Sequence, residues 1–133
     1  MREIGEDAFC LCENLNEVSL PITLEIIGEK AFASSGITKI DVPDGVPEIC
    51  NGAFARCYYL ESVILPASLQ KIGWNCFEDC DDVRVYAPVG SYAEGYCINR
   101  GISLVNSIDD FEERELTIIA EEMIKYKLFS IGG

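Results

Sequence analysis

The chain has 133 residues, enough for one modest domain, and 49% of them are apolar, which excludes a disordered tail. Asp and Glu number 23 against 10 Lys and Arg, an excess that speaks against nucleic acid, whose binding rests on cations meeting phosphate, and against anionic membrane surfaces. No run of about 20 apolar residues exists to span a bilayer, so no membrane insertion is expected.

The start, Met1-Arg2-Glu3-Ile4-Gly5-Glu6-Asp7, lacks the apolar core of a signal peptide, so the sequence reads either as cytoplasmic or as a piece of a longer precursor. From there the chain repeats itself. Ile4, Ile27, Ile49 and Ile72 stand five residues before Phe9, Phe32, Phe54 and Phe77, and the phenylalanines are 23, 22 and 23 residues apart. Ala8, Ala31, Ala53 and Cys76 precede them, and Cys12, Ser35, Cys57 and Cys80 follow three residues later. Next come Leu15, Ile37 and Leu60, then Val18, Ile40 and Val63, then Leu20, Val42 and Leu65, and Pro21, Pro43 and Pro66 close the pattern. The 22-residue spacing has a local cause: Cys12-Glu13-Asn14-Leu15 becomes Ser35-Gly36-Ile37, one residue fewer, at a glycine whose backbone freedom is expected to absorb the loss.

A unit of this length cannot bury its own apolar side, but it can do so against copies of itself. The Leu-x-x-Val-x-Leu piece alternates inward and outward, which predicts a short strand. Successive strands then pair in parallel about 4.8 Å apart, and the Pro ends each one because it cannot donate to the ladder. The Ile-Gly-x-x-Ala-Phe piece turns the chain back, and the four phenylalanines are expected to stack in one buried column. In this register Glu17 and Lys39 are cross-strand neighbours, with Ser19, Asp41, Ile64 and Arg84 as the next outward row.

The pattern Ile-Gly-x-x-Ala-Phe-x-x-Cys-x-x-Leu-x-x-Val-x-Leu-Pro resembles the BspA-like leucine-rich repeats, over about residues 2–105. The run Val83-Arg84-Val85-Tyr86-Ala87-Pro88-Val89-Gly90-Ser91-Tyr92 is similar to the closing unit of that family, a shortened strand and a Pro-x-Gly-Ser turn before a helix. The departures are Cys50 in place of Gly, Cys76 in place of Ala and Ser35 in place of Cys. The resemblance implies an α/β repeat fold, a right-handed leucine-rich-repeat solenoid with short parallel strands over residues 1–105. It also implies adhesion or protein binding, with a host surface or matrix protein as the ligand, and a cell-surface or secreted location. It brings no catalytic residue, because the family has no active-site motif to carry over.

The residues agree with that last point. The chain contains no His, which removes the commonest general base and metal ligand and makes Ser/His/Asp or Cys/His arrangements impossible in this chain alone. No glycine-rich phosphate loop is present, and carboxylates such as Asp79, Asp81 and Asp82 read as solvated turns. No enzyme activity, cofactor or metal is expected. The 7 cysteines are odd in number and lack zinc-ribbon spacing, so Cys12, Cys57 and Cys80 read as a packing column, with Cys10 as the best candidate for an exposed thiol.

Specific binding should show where one repeat departs from its neighbours on the outside. Tyr58 and Tyr59 replace Glu13 and Asn14, Ile64 stands in the outward column of Ser19 and Asp41, and Trp74 occupies the place of Glu29. Exposed aromatics are enriched at interface hot spots. The candidate binding residues are therefore Tyr58, Tyr59, Ile64 and Trp74, with Asp41 and Arg84 on the strand face. The competing explanation is that the large side chains cover gaps in the coil.

Residues 106–133 fall outside the repeat and read as a helical tail. Ser107 would cap a helix running from about Asp109 to Lys127, with Asp109, Asp110, Glu112 and Glu113 favoured at its positive end. Its apolar arc is too wide for one solvent-facing helix, so it is expected to pack on the end of the array, of its own chain or of a second copy in a homodimer. The leading function is a protein-binding or adhesion module. The alternative is a structural self-assembly or spacer element with no outside ligand.

Overall fold

Each repeat lays two short segments of backbone against its neighbours, because its inward side chains are buried only when the next turn covers them. The computed structural model describes residues 2–111. In chain order the elements are β1 (Glu3–Ile4), β2 (Ile26–Ile27), β3 (Lys39–Asp41), β4 (Glu48–Ile49), β5 (Ser62–Ile64), β6 (Lys71–Ile72), β7 (Arg84–Tyr86), α1 (Tyr92–Arg100) and β8 (Ser103–Leu104). All pairings are parallel and form two four-stranded sheets, β1-β2-β4-β6 and β3-β5-β7-β8. The chain visits each sheet once per repeat, which makes a parallel-strand solenoid of about 5 turns with a short helix near its far end.

The second of these sheets is the one the alternating pieces predict. Ladder bonds continue to Val42 and Leu65, whose N–H groups donate to the Ile64 and Tyr86 carbonyls at 2.9 Å, and stop at the prolines that follow. The first unit contributes only a parallel bridge, Glu17 to Lys39, as the register predicted. The sheet on the isoleucine column is an addition: its strands have 2 residues each, too short to show alternation in sequence.

The core is the set of repeat columns. Phe9, Phe32, Phe54 and Phe77 stack with ring centres 5.2, 5.5 and 5.5 Å apart. Phe32 and Phe54 are fully buried, whereas Phe9, on the first turn, is half-buried. The N–H groups of Phe9, Phe32 and Phe54 donate to carbonyls of the following turn, as from Phe32 to Ala53 at 2.8 Å, so successive turns are tied by backbone bonds on this side of the coil too. A further column, Leu24, Val46 and Leu69, lies buried just after the prolines.

The closing unit follows the expected order. Ser91 caps α1, its side chain accepting from the Glu94 N–H, and Gly101 ends the helix with φ of 67°, a left-handed value that costs glycine little. Tyr92 and Tyr96, one helical turn apart, bond the coil: the Tyr92 hydroxyl accepts from the Ile72 N–H at 3.1 Å, and the Tyr96 hydroxyl donates to the Gly73 carbonyl at 3.5 Å. The helix therefore packs against β6 and β8.

Four expectations need correction or refinement. Arg84 is not in the Asp41–Ile64 row; it pairs with Ser62, and Tyr86 holds the place opposite Ile64. The cause is that Val83 and Val85 are separated by one residue where Leu60 and Val63 are separated by two, which shifts the outward position. Cys12 is exposed and Cys10 intermediate, the reverse of the expected order. Cys57 and Cys80 donate to the Phe32 and Phe54 carbonyls of the turn before, each at 3.1 Å, and Cys12 sits on the first turn with no such neighbour. Gly36 does not have a positive φ; its role is a close approach, since a Cβ there would stand 2.1 Å from the Glu13 carbonyl oxygen. Finally, the tail begins with the Asp110 carboxylate accepting from the Asn106 and Ser107 N–H groups at 3.0 and 3.1 Å, so Asp110 reaches back where the Ser107 side chain was expected to reach forward. The rest of the expected tail helix, and its expected contact with the array end or a second copy, lie outside the described residues.

Candidate functional site

The candidate residues fall on two surfaces. On the strand face, Asp41 and Ile64 are cross-strand partners in β3 and β5. With Glu17, Lys39, Ser62, Ile108 and Phe111 they line a groove of about 380 Å³. Burial, and then the Asp44 carboxylate, raise the Asp41 carboxyl above its ordinary value. Arg84 is occupied within the chain: its guanidinium carbon lies 5.3 Å from the centre of the buried Phe111 ring, and its Nε is buried without a hydrogen-bond partner among the described residues.

The other surface lies at the loops between the phenylalanine column and the strands. Tyr58 and Tyr59 are 60% and 68% exposed, so they do not plug a gap in the coil. They flank a notch of about 560 Å³ whose other members include Leu11, Glu13, Asn14, Gly36 and Arg56. Trp74 is 76% exposed, and its N–H donates to Asn51 Oδ1 at 2.8 Å. It borders a neighbouring trough of about 460 Å³ with Ala33, Gly52 and Ala55. Leu11, Ser34 and Arg56 line both depressions, so the two adjoin and Tyr58, Tyr59 and Trp74 share one side of the molecule.

That shared rim is a column the sequence reading passed over. Leu11, Ser34, Arg56 and Asp79 all have positive φ, between 57° and 63°, and tie the bend after each phenylalanine. A visible sign existed, since an apolar Leu11 among polar and charged equivalents, 68% exposed, marks a surface position. Arg56 leans toward the next turn, where its Nε lies 4.0 Å from Asp79 Oδ2.

Among the described residues, no group of three or more His, Cys, Asp or Glu side chains is placed to hold a metal ion. The buried thiols are held protonated: burial pushes Cys80 up to about 12 and Cys97 up to about 11. No helix among the described residues is long and apolar enough to cross a membrane.

Comparisons with known proteins bear on this scaffold. A solved leucine rich cell surface protein from Faecalibacterium prausnitzii is 26% identical, with a TM-score of 0.50, over 80% of this chain and 33% of that one. A leucine-rich repeat protein from Bacteroides ovatus is 28% identical, with a TM-score of 0.46, over 63% of this chain and 28% of its own. The chain thus spans about a third or less of each of these structures. No curated protein matches it. The family model described as BspA type leucine rich repeat region (6 copies) matches residues 1–97. The chain belongs to the BspA type leucine-rich-repeat family.

Proposed function

We propose that this chain is a non-catalytic protein-binding module, a segment of a cell-surface repeat protein, and that it engages its ligand through the loop-side surface of Tyr58, Tyr59 and Trp74. The observation that carries the reading is the exposure of these three aromatics together on two adjoining depressions of the coil. A large ring left in water gains nothing for folding, and aromatic side chains dominate binding hot spots. The family supports protein interaction in general, and the chain's likeness to the Faecalibacterium cell surface protein supports a surface location.

The test is capture of a partner from extracellular-matrix extract, followed by affinity measurement with the purified partner. Replacing Tyr58 and Tyr59 together, or Trp74, by Ala is expected to weaken binding about tenfold or more, the loss of a hot spot of about 2 kcal/mol. Replacing Asp41 and Ile64 by Ala is expected to leave it nearly unchanged. The opposite pattern moves the working surface to the strand groove. A sedimentation series showing stable self-association with no outside ligand would favour a structural assembly element.

A further inference from the structure

Two independent irregularities of the repeat meet at one place. The second turn is one residue short between the Cys column and the strand, with Ser35-Gly36-Ile37 facing Cys12-Glu13-Asn14-Leu15. Gly36 is drawn against the first turn: its N–H donates to the Cys12 carbonyl at 3.1 Å, and a Cβ on it would collide with the Glu13 carbonyl. Ser35 beside it is buried. The loops on either side keep their extra residue and stand out past it. One of them carries Tyr58 and Tyr59, where the equivalent loop of the first turn carries Glu13 and Asn14. The shortened loop is the floor of the notch of about 560 Å³, and the two longer loops are its walls.

We infer that this notch binds a basic side chain, arginine or lysine, presented by a segment of a partner protein. The inference rests on the protein-binding reading and specifies its chemistry. The exposed faces of Tyr58 and Tyr59 attract a cation placed within about 6 Å of a ring. Glu13 supplies a carboxylate on the facing wall; it is exposed and has no ion pair among the described residues. The Asn14 amide oxygen adds an acceptor. The one cation at the notch, Arg56, leans to Asp79 on the fourth turn, away from Glu13 on the first. A net charge of −13 draws a basic segment in and opposes an acidic one. The notch, about 560 Å³ and open to solvent on one side, leaves room for one such side chain.

The experiment titrates the whole isotopically labelled chain with a blocked Gly-Arg-Gly-Arg-Gly peptide and with its citrulline counterpart, which keeps the shape and loses the charge. The amide shifts are expected to centre on Glu13, Asn14, Gly36, Tyr58 and Tyr59, with the citrulline peptide about tenfold weaker. Tyr58→Ala and Tyr59→Ala should each weaken arginine-peptide binding about two- to fivefold. Glu13→Gln should weaken it by a similar factor, and Glu25→Gln, the same change at an exposed carboxylate outside the notch, should leave it unchanged. Shifts spread over the acidic surface, shifts centred on the strand groove, equal affinity for both peptides, or indifference to Glu13→Gln with an intact spectrum would each overturn the assignment. If the peptide fails while a captured partner still requires Tyr58 and Tyr59, the basic-ligand inference falls and the protein-binding reading stands.

Discussion

Truncating Phe54 to Ala tests the register on which the whole argument depends. Phe54 has no exposed surface, and its ring lies 5.5 Å from both Phe32 and Phe77. A buried Phe→Ala change costs about 3–5 kcal/mol, and two lost ring contacts of about 0.5–1.5 kcal/mol each place this site in the upper half of that range. Phe9 is the internal control. It is half-buried with a ring neighbour on one side only, at 5.2 Å, so Phe9→Ala should cost about 1–2 kcal/mol. Urea unfolding followed by far-ultraviolet circular dichroism reads the difference. With a slope of about 1–3 kcal/mol per molar, Phe54→Ala should lower the midpoint by roughly 1–5 M, clearly more than Phe9→Ala at the same slope. Because adjacent turns share one interface, exchange protection should fall at the Phe32 and Cys80 amides as well, whose N–H groups donate to the Ala53 and Phe77 carbonyls. If Phe54→Ala costs no more than Phe9→Ala, the four rings are not a cooperative column and the stacking account is wrong.

Two further outcomes follow from the backbone and the thiols. Gly36→Ala is expected to destabilise by about 1–3 kcal/mol, because the added carbon must push back the backbone of the first turn; a melting temperature equal to that of the parent would show that the loop yields freely. At about pH 8, Cys12 should take maleimide first, while Cys76, Cys80 and Cys97 should label only after denaturation, since burial raises their thiols above the ordinary range; rapid native labelling of Cys80 would count against its bond to the Phe54 carbonyl.

The array was legible because its cause is periodic. Inward positions recur with the turn, so Ile27, Phe32, Cys57, Leu60 and Val63 could be placed by comparing the chain with itself, and all are buried. Leu24, Val46 and Leu69 recur in the same way, three residues after each proline, and the same comparison would have found them. Arg84 went wrong where the period itself broke: a residue dropped between Val83 and Val85 moves the outward side chain to another row, and only the pairing of β5 with β7 reveals it. Cys12 was misplaced for a different reason. A column predicts burial only when a turn lies on both sides, and among the described residues Cys12 has one on a single side. The candidate binding surface was half legible. Tyr58, Tyr59 and Trp74 stood out as departures, but their shared rim of Leu11, Ser34 and Arg56 depends on left-handed backbone angles that these residue types do not announce.

The same separation explains how such a coil acquires a site at low cost to its stability. Each turn is held by inward columns and by ladder bonds to its neighbours, so stability is close to a sum of nearest-neighbour terms. A loop outside those columns can therefore lose a residue or gain two tyrosines without disturbing the Phe or Ile stacks. The cost of the shortened loop is confined to one contact, Gly36 against the Glu13 carbonyl, and glycine is the residue type that lets the two backbones meet. Glycine at 36 and tyrosine at 58 and 59 are thus parts of one feature. The first sets the depth of the notch, and the others set what its wall attracts. A coil with Gly36 restored to a longer loop would keep its fold and its tyrosines but lose the recess between them and Glu13.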